Sequence, residues 1–205
     1  TMSGSRRIAK YTWQQLIHSS NAADDWQERV QRREATITES DLATIIYTSG
    51  TTGNPKGVML THSNLLSNAL ATGDAGVYGP SDILLSWLPY SHIYARTVDL
   101  YLTMSTCGTL CVGGPVEALF DDLSATQPTW MTAVPRFYEK VWAAVEPLSD
   151  AERPPALRRI FGSRLIHLSS GGAPLPRHIA EGFMASDIPL YQGYGLTESS
   201  PVISF

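Results

Sequence analysis

The chain alternates short apolar runs with amphipathic helical stretches, and this alternation restricts its possible folds more than any other feature. Runs of strand length are followed by glycine-containing or polar loops; the predicted strands are 42–47, 83–88, 109–112, 129–134, 165–168 and 189–191. Predicted helices begin near His62 and cover 91–105, 116–125, 136–145 and 175–185. The pattern predicts an α/β fold with mostly parallel sheet layers flanked by helices.

The apolar faces of the helices indicate what they cover. The stretch 136–145 places Phe137, Val141 and Val145 on one side, and 175–185 has a similar apolar side, so both should pack on a sheet. In open parallel sheets, ligands bind beyond the carboxyl ends of the strands. The loops that follow the predicted strands should therefore gather into one site.

The beginning of the chain differs from the rest. Thr12 and Gln15 have the spacing of a capping box and predict a short helix, whereas 21–40 is charged and weakly periodic and is interpreted as a surface linker. We therefore expect residues 1–40 to form a leading helix and linker, and 41–205 to form the main body.

Composition excludes several classes of protein. The formal net charge is -4 and no dense run of Lys and Arg occurs, so nucleic acid is not an expected partner. No apolar stretch reaches the roughly 18 to 20 residues of a transmembrane segment, and the polar start does not resemble a signal peptide. The expected location is cytoplasmic.

Cysteine and histidine usage gives no sign of a metal or redox site. Cys107 and Cys111, the two cysteines, lie four residues apart in a predicted strand, or roughly 13 Å, which is beyond disulfide reach. Both are expected to be buried thiols. The five histidines are not clustered like zinc ligands, so a metal should arrive with a nucleotide.

The segment from Tyr47 to Gly57, YTSGTTGNPKG, is the most informative about chemistry. It contains four Ser or Thr hydroxyls, three glycines and one lysine directly after a predicted strand. Glycines allow backbone N–H groups to approach an anion, hydroxyls donate hydrogen bonds to phosphate oxygens, and a lysine neutralises their charge. The residues predicted to bind a polyphosphate are Thr48, Ser49, Gly50, Thr51, Thr52, Gly53 and Lys56.

Other readings of the motifs fail on spacing. A plain polar turn would explain the glycines but not the hydroxyls together with Lys56. A Walker A loop requires Ser or Thr after its lysine, where this chain has Gly57. The segment 167–171 lacks the first glycine of a hydrolase nucleophile elbow, because His167 occupies that position. Glu198 stands in place of the third glycine of a dinucleotide fingerprint.

The Tyr47–Gly57 segment, the Gly171-Gly172-Ala173-Pro174 loop and the later GYGLTE motif at 193–198 resemble, in this order, the motifs of the adenylate-forming superfamily of acyl-CoA synthetases, luciferases and peptide-synthetase adenylation domains. The resemblance implies a partial large N-terminal domain of an adenylate-forming enzyme, namely its central ATP-binding part. The family's N-terminal subdomain, ribose-binding aspartate and mobile C-terminal domain with its catalytic lysine are expected to lie outside these residues.

The resemblance also implies roles for individual residues. Tyr194 would stack on the adenine, Thr197 would contact the α-phosphate, and Glu198 would hold Mg²⁺, with a hydroxyl from Thr48. Lys56, Thr197 and Glu198 are the expected catalytic residues. The remaining residues expected to bind ATP or AMP are Gly171, Gly172, Ala173, Gln192, Gly193 and Gly195.

The acid substrate is indicated by resemblance alone. The segment 88–92, LPYSH, is similar to the family segment that borders the acyl pocket, and His92 is the candidate pocket residue, with a core or helix-end histidine as the alternative. Arg96 lies one turn further along and could instead pair with a carboxylate. The segment 134–141 resembles the long-chain fatty acyl-CoA synthetase branch, although its aromatics also suit a core.

The implied reaction joins a fatty acid to the AMP portion of ATP with release of pyrophosphate and then transfers the acyl group to CoA with release of AMP. Two alternatives remain open: an acyl-AMP ligase that loads a carrier protein, and a non-catalytic nucleotide-binding or interaction module. The resemblance is compatible with a peripheral membrane location of the full-length protein. It leaves the chain length of the acid and the oligomeric state undetermined.

Overall fold

The computed structural model describes residues 12, 14–15, 25–49, 54–76 and 78–205. The chain divides into two units, Thr1–Thr38 and Glu39–Phe205. In the first unit, the Thr12 N–H donates to Oε1 of Gln15 at 2.7 Å and the Gln15 N–H donates to Oγ1 of Thr12 at 3.2 Å, which confirms the capping box.

The region interpreted as a linker contains helix α1, Trp26–Glu34, which the weak periodicity did not indicate. None of its residues is buried, so no apolar stripe was available to reveal it. Its sequence is rich in helix-forming Glu, Gln and Arg, and Arg32 pairs with Glu28 one turn away at 2.5 Å. Helix α1 therefore rests on local propensity.

The second unit is built on a five-stranded parallel sheet with the order β4-β3-β5-β6-β7. This confirms the predicted α/β fold. The strands are β3 (Ile83–Ser86), β4 (Thr109–Val112), β5 (Trp130–Ala133), β6 (His167–Ser170) and β7 (Leu190–Gln192).

The strand that precedes this sheet pairs elsewhere. Strand β1 (Leu42–Thr48) forms an antiparallel hairpin with β2 (Lys56–Thr61), and these two strands make a separate sheet. The expected strand–loop–helix unit at this position was wrong, because it omitted β2. Leu60 is buried and Met59 is exposed, the alternation of a strand with one covered face, but the segment is too short for a clear period.

The described helices of the second unit flank these strands. They are α2 (His62–Gly76), α4 (Leu119–Thr126), α5 (Pro135–Val145), α6 (Arg153–Phe161) and α7 (Arg177–Ala185). A further helix, α3, begins as Ile93–Ala95, continues as a π-helix over Arg96–Tyr101 and ends as Leu102–Ser105. Helix α6 had no counterpart in the sequence prediction; its prolines lie in the first turn, where a missing N–H is tolerated.

The main core lies between the parallel sheet and helices α4, α5, α6 and α7. Phe137, Val141 and Val145 are all buried in it, which confirms the predicted packing face of α5. Trp142 and Phe183 join α5 to α7, with ring centroids 5.7 Å apart. The strands of the parallel sheet pack on this core, and their carboxyl ends lie at the candidate functional site.

The prediction that both cysteines are buried was wrong. Cys107 is exposed and lies before β4 with a φ of 58°, and Cys111 is half-buried within β4. The turn at Cys107 separates the two residues that had been assigned to one strand. Both are free thiols.

Two short strands complete the described chain. Strand β8 (Tyr194–Gly195) pairs antiparallel with β9 (Val202–Ser204), and a 3₁₀ turn, Thr197–Ser199, lies between them. Within the described ranges, no helix has both the length and the apolar character needed to span a membrane.

Candidate functional site

A cleft of about 1040 Å³ lies where the strand ends and the β1–β2 hairpin meet. The loops after β3, β5, β6 and β7 all contribute to its wall, as expected for the carboxyl edge of a parallel sheet. The residues of the predicted site that line it are Thr48, Ser49, Lys56, His92, Gly171, Gly172, Ala173, Gly193, Tyr194, Gly195, Thr197 and Glu198. Residues from five separate parts of the sequence are thus brought into one cavity.

The hairpin supplies hydroxyls and a cation to one wall. Thr48 is the register partner of Lys56, so both side chains lie on the same face of the hairpin at the base of its loop. Lys56 is exposed, and none of the ion pairs recorded among the described residues includes it. Four of the residues predicted to bind phosphate lie outside the described part of the chain: Gly50, Thr51, Thr52 and Gly53.

Another part of the wall is formed by backbone that continues the parallel ladder. The Gly171 N–H donates to the Ala133 carbonyl at 3.1 Å, and the Gly193 N–H donates to the Ser170 carbonyl at 2.8 Å. Gly172 has a φ of 81°, which favours glycine. The chain therefore turns away directly after β6 and presents backbone atoms to the cleft.

Two glycines that line the cleft, Gly171 and Gly195, are required by close packing. A Cβ at Gly171 would lie 2.7 Å from the ring of Tyr94, and a Cβ at Gly195 would lie 2.0 Å from the Pro201 carbonyl oxygen. The second approach lets the segment after β8 fold back on itself. Leu196 then donates its N–H to the Pro201 carbonyl at 3.1 Å, so the turn that carries Thr197 is closed at its base.

The carboxylate of the site comes from this turn. Glu198 is exposed and lines the same cleft as Lys56 and Thr48. No group of three or more His, Cys, Asp or Glu in the described part of the chain could hold a metal ion alone. One carboxylate with hydroxyls in the same cleft suits Mg²⁺, which keeps several ligands from water and substrate phosphates. The donor set therefore fits a magnesium ion that arrives with a nucleotide.

His92 and Arg96 have different surroundings. His92 is exposed, precedes α3 and lines the cleft. The guanidinium of Arg96 donates from Nε to the Tyr90 carbonyl at 2.8 Å and from Nη1 to the Thr44 hydroxyl at 2.9 Å. The alternative of a carboxylate partner for Arg96 was wrong, since its acceptors are neutral. Arg96 ties the start of α3 to β1.

Gln192 is not among the residues that line the cleft. Its Oε1 accepts a hydrogen bond of 3.1 Å from the Leu175 N–H. This contact links the end of β7 to the segment that follows the glycine-rich loop. Gln192 supports the wall of the cleft rather than forming it.

Sequence reasoning missed Tyr94, which lines both the cleft and a second cavity of about 460 Å³. Its hydroxyl lies 3.0 Å from Oγ of Ser169, and burial raises the pKa of this hydroxyl well above its usual value. The one available signal was an aromatic residue within the LPYSHIY segment. The direction of the Tyr94 side chain depends on where α3 packs against the sheet.

The second cavity has a mixed lining. Tyr78, Tyr191 and Phe205 give it aromatic walls, and Nε2 of His167 lies 2.9 Å from the Tyr78 hydroxyl. Burial lowers the pKa of His167, so the neutral imidazole is favoured there. Gly193 and Val202, like Tyr94, line both cavities. The two cavities are therefore neighbours with a shared wall.

Known proteins resemble this chain in sequence. Long chain acyl-CoA synthetase 7, peroxisomal, of Arabidopsis thaliana is 32% identical over 200 residues, which cover 80% of this chain and 28% of that protein. Long-chain-fatty-acid--CoA ligase ACSBG2 of Xenopus laevis is 29% identical over 243 residues, covering 95% and 32%. Long-chain-fatty-acid--[acyl-carrier-protein] ligase AEE15, chloroplastic, of Arabidopsis thaliana is 30% identical over 236 residues, covering 83% and 32%.

Solved structures also resemble this chain in fold. ATP-bound MatB from Rhodopseudomonas palustris superposes with a TM-score of 0.64 at 31% identity, covering 80% of this chain and 31% of that one. A long-chain-fatty-acid-CoA ligase, FadD1, from Archaeoglobus fulgidus gives 0.64 at 27% identity, covering 81% and 33%. The chain spans about a third of the length of these relatives. Residues 5–205 match the family described as AMP-binding enzyme, and the chain belongs to this family of adenylate-forming, acyl-activating enzymes.

Proposed function

We propose that the full-length protein activates a long-chain fatty acid with ATP to give acyl-AMP and pyrophosphate, and then transfers the acyl group to CoA. The observation that carries the proposal is the meeting of Lys56 with Thr197 and Glu198 in one cleft. The names of the long-chain acyl-CoA synthetase relatives support the choice of acid.

The charges in the cleft suit this reaction. A carboxylate and a triphosphate repel each other, so their approach requires cations and hydrogen-bond donors in the wall. The Lys56 ammonium and the hydroxyls of Thr48 and Ser49 supply them from the hairpin. Glu198, with Thr48, would hold Mg²⁺, which would neutralise phosphate charge when bound.

Backbone and aromatic groups would hold the nucleoside. Gly171, Gly172 and Ala173 present backbone atoms along one wall, and the Tyr194 ring is exposed in the cleft, where it could stack on a base. Thr197 would bind the α-phosphate, at which the acid attacks. The main contribution of this chain to the chemical step is then alignment of the two substrates.

The second cavity is the proposed place of the acyl group. This cavity shares Tyr94 and Gly193 with the cleft. An acid whose carboxylate lies in the cleft can therefore place its apolar chain in the second cavity. Its volume of about 460 Å³ lies in the range of small-molecule sites. His92 would border the route between them.

A carrier protein is the second candidate acceptor. The similarity to an acyl-carrier-protein ligase supports it. The proposed location is the cytoplasm; the names of relatives include a peroxisomal and a chloroplastic protein.

The test is palmitate-dependent exchange of labelled pyrophosphate into ATP, measured on the protein in its native length with Mg²⁺. Exchange followed by acyl-CoA formation is expected, with no acyl transfer to a phosphopantetheinylated carrier protein. Exchange with transfer only to the carrier would select the second candidate. Absence of exchange with acids of every chain length would refute acid activation.

A further inference from the structure

Asn68, a half-buried residue of α2, forms hydrogen bonds with residues more than a hundred positions later in the sequence. Its Nδ2 donates to the Val202 carbonyl at 2.8 Å, and its Oδ1 accepts from the Val202 N–H at 3.1 Å. The same Nδ2 lies 3.4 Å from the Ser199 carbonyl, a longer contact. The side-chain amide thus pairs with the Val202 backbone as a neighbouring strand would.

These acceptors lie just after the residues proposed to act on the phosphates. Ser199 ends the 3₁₀ turn that contains Thr197 and Glu198, and Val202 begins β9 as the register partner of Gly195. From a second helix, α3, the Thr97 hydroxyl donates to the Ser200 carbonyl at 3.3 Å. The turn is therefore held at its C-terminal flank by two helices.

Helix α2 also connects to the hairpin that lines the cleft. It begins at His62, directly after β2, and β2 begins at Lys56. The hydrogen bonds from Asn68 of α2 to Val202 therefore link the hairpin that carries Lys56 to the turn that carries Glu198, in addition to the direct contacts between β2 and this turn. The main-chain connection between these two residues passes through the entire parallel sheet, so it sets their separation less directly.

We propose that Asn68 is a positioning residue that sets the distance of Thr197 and Glu198 from Lys56 and thereby the affinity for a nucleoside triphosphate. The inference rests on the proposed function of the cleft. Asn68 does not line the cleft and acts through the backbone of residues 199–202.

An amide is needed at this position because the Val202 backbone offers one acceptor and one donor. Aspartate would keep the acceptor but would place negative charge beside the carbonyls of Val202 and Ser199. Alanine would remove both bonds and leave the Val202 groups without this partner. The two substitutions therefore separate loss of contact from repulsion.

The experiment compares Asn68→Ala and Asn68→Asp with Ser67→Ala, a control at an exposed neighbour on the same helix. Hydrogen exchange of residues 195–204 and calorimetric titration with ATP and Mg²⁺ are measured on the protein in its native length, well below its unfolding midpoint. Both Asn68 variants should exchange faster in this segment and bind about tenfold more weakly, which corresponds to about 1.4 kcal/mol. Ser67→Ala should match the wild type in both.

The Asn68→Asp variant has a further diagnostic property. Protonation of its carboxyl restores an O–H donor for the Val202 carbonyl, so its affinity relative to the wild type should improve as the pH falls toward about 4 to 5. The Asn68→Ala variant has no such group and should show no relative recovery. A general loss of folding would not distinguish the two variants in this way.

The outcomes are separable. Unchanged exchange in both Asn68 variants would overturn the proposed hold on the turn. Faster exchange with unchanged affinity would overturn its link to nucleotide binding. If the wild type itself binds no ATP, the proposed function fails, whereas the exchange rates still decide whether Asn68 positions the segment.

Discussion

The carboxylate of Asp99 accepts a hydrogen bond of 2.5 Å from the hydroxyl of Thr132 in the interior between helix α3 and strand β5. The Ser86 hydroxyl of β3 donates to the other carboxylate oxygen at 2.8 Å. Burial raises the pKa of Asp99 to about 7, although the hydrogen bonds from Thr132 and Ser86 lower it. Asp99 thus joins the π-helical part of α3 to two strands of the sheet.

The first prediction concerns stability against pH. The pKa of Asp99 rises from 3.8 to about 7 on folding, so its stabilising contribution is complete below pH 3.8 and is lost as pH rises through 7. The amide of an Asp99→Asn variant does not titrate. The free energy of unfolding of the wild type should therefore fall relative to that of Asp99→Asn across this window, by on the order of a few kcal/mol.

Urea unfolding of Asp99→Asn and the wild type at a series of pH values measures this difference. Asp74→Asn, at an exposed site on α2, serves as the control and should follow the wild type. A difference between Asp99→Asn and the wild type that stays constant from pH 4 to pH 8 would contradict the raised pKa.

The second prediction concerns the packing of α7 on α5. A Cβ at Gly182 would lie 2.2 Å from the Trp142 ring, which is itself buried in the core. Gly182→Ala should therefore lower the free energy of unfolding by about 1–3 kcal/mol, as overpacking does. Gly79→Ala is the control, because a Cβ there meets nothing within 4 Å. Equal unfolding midpoints for the two variants would be inconsistent with this packing.

The third prediction concerns the proposed phosphate contact. Lys56→Ala removes the cation at the base of the hairpin loop and should weaken binding of ATP by about ten- to a hundredfold, in line with about 1.5–3 kcal/mol for a hydrogen bond to a charged group. Lys140→Ala, at an exposed residue of α5, should leave binding unchanged. Calorimetric titration compares the two, and equal affinities would argue against Lys56 as a phosphate ligand.

The fourth prediction concerns the two thiols. Cys107 is exposed and Cys111 is half-buried in β4, so a maleimide should modify Cys107 first in the native protein. Mass spectrometry of proteolytic peptides after brief labelling identifies the modified residue. In urea both thiols should react at similar rates. Earlier modification of Cys111 would contradict the arrangement at this edge of the sheet.

Much of the parallel sheet could be predicted because its strands are apolar runs bounded by turn residues. The hairpin was the main error, since β2 contains only one fully buried side chain, Leu60, which packs in a cluster with Ile46 of β1, Leu65 and Ile93. Helix α1 escaped prediction for the opposite reason, because it has no buried face. Periodicity detects elements only through the surface that they cover.

The order of motifs and the chemistry of their side chains are properties of the amino-acid sequence, because glycines, hydroxyls and Lys56 have the same hydrogen-bonding capacity wherever they lie. Their meeting in one cleft depended on the tertiary structure, since the parallel strands bring their carboxyl ends to one edge. The role of Tyr94 as a wall between two cavities and the pairing of Asn68 with Val202 were decided there as well. Contacts between residues so distant in the chain arise only after packing sets the helices against the sheet.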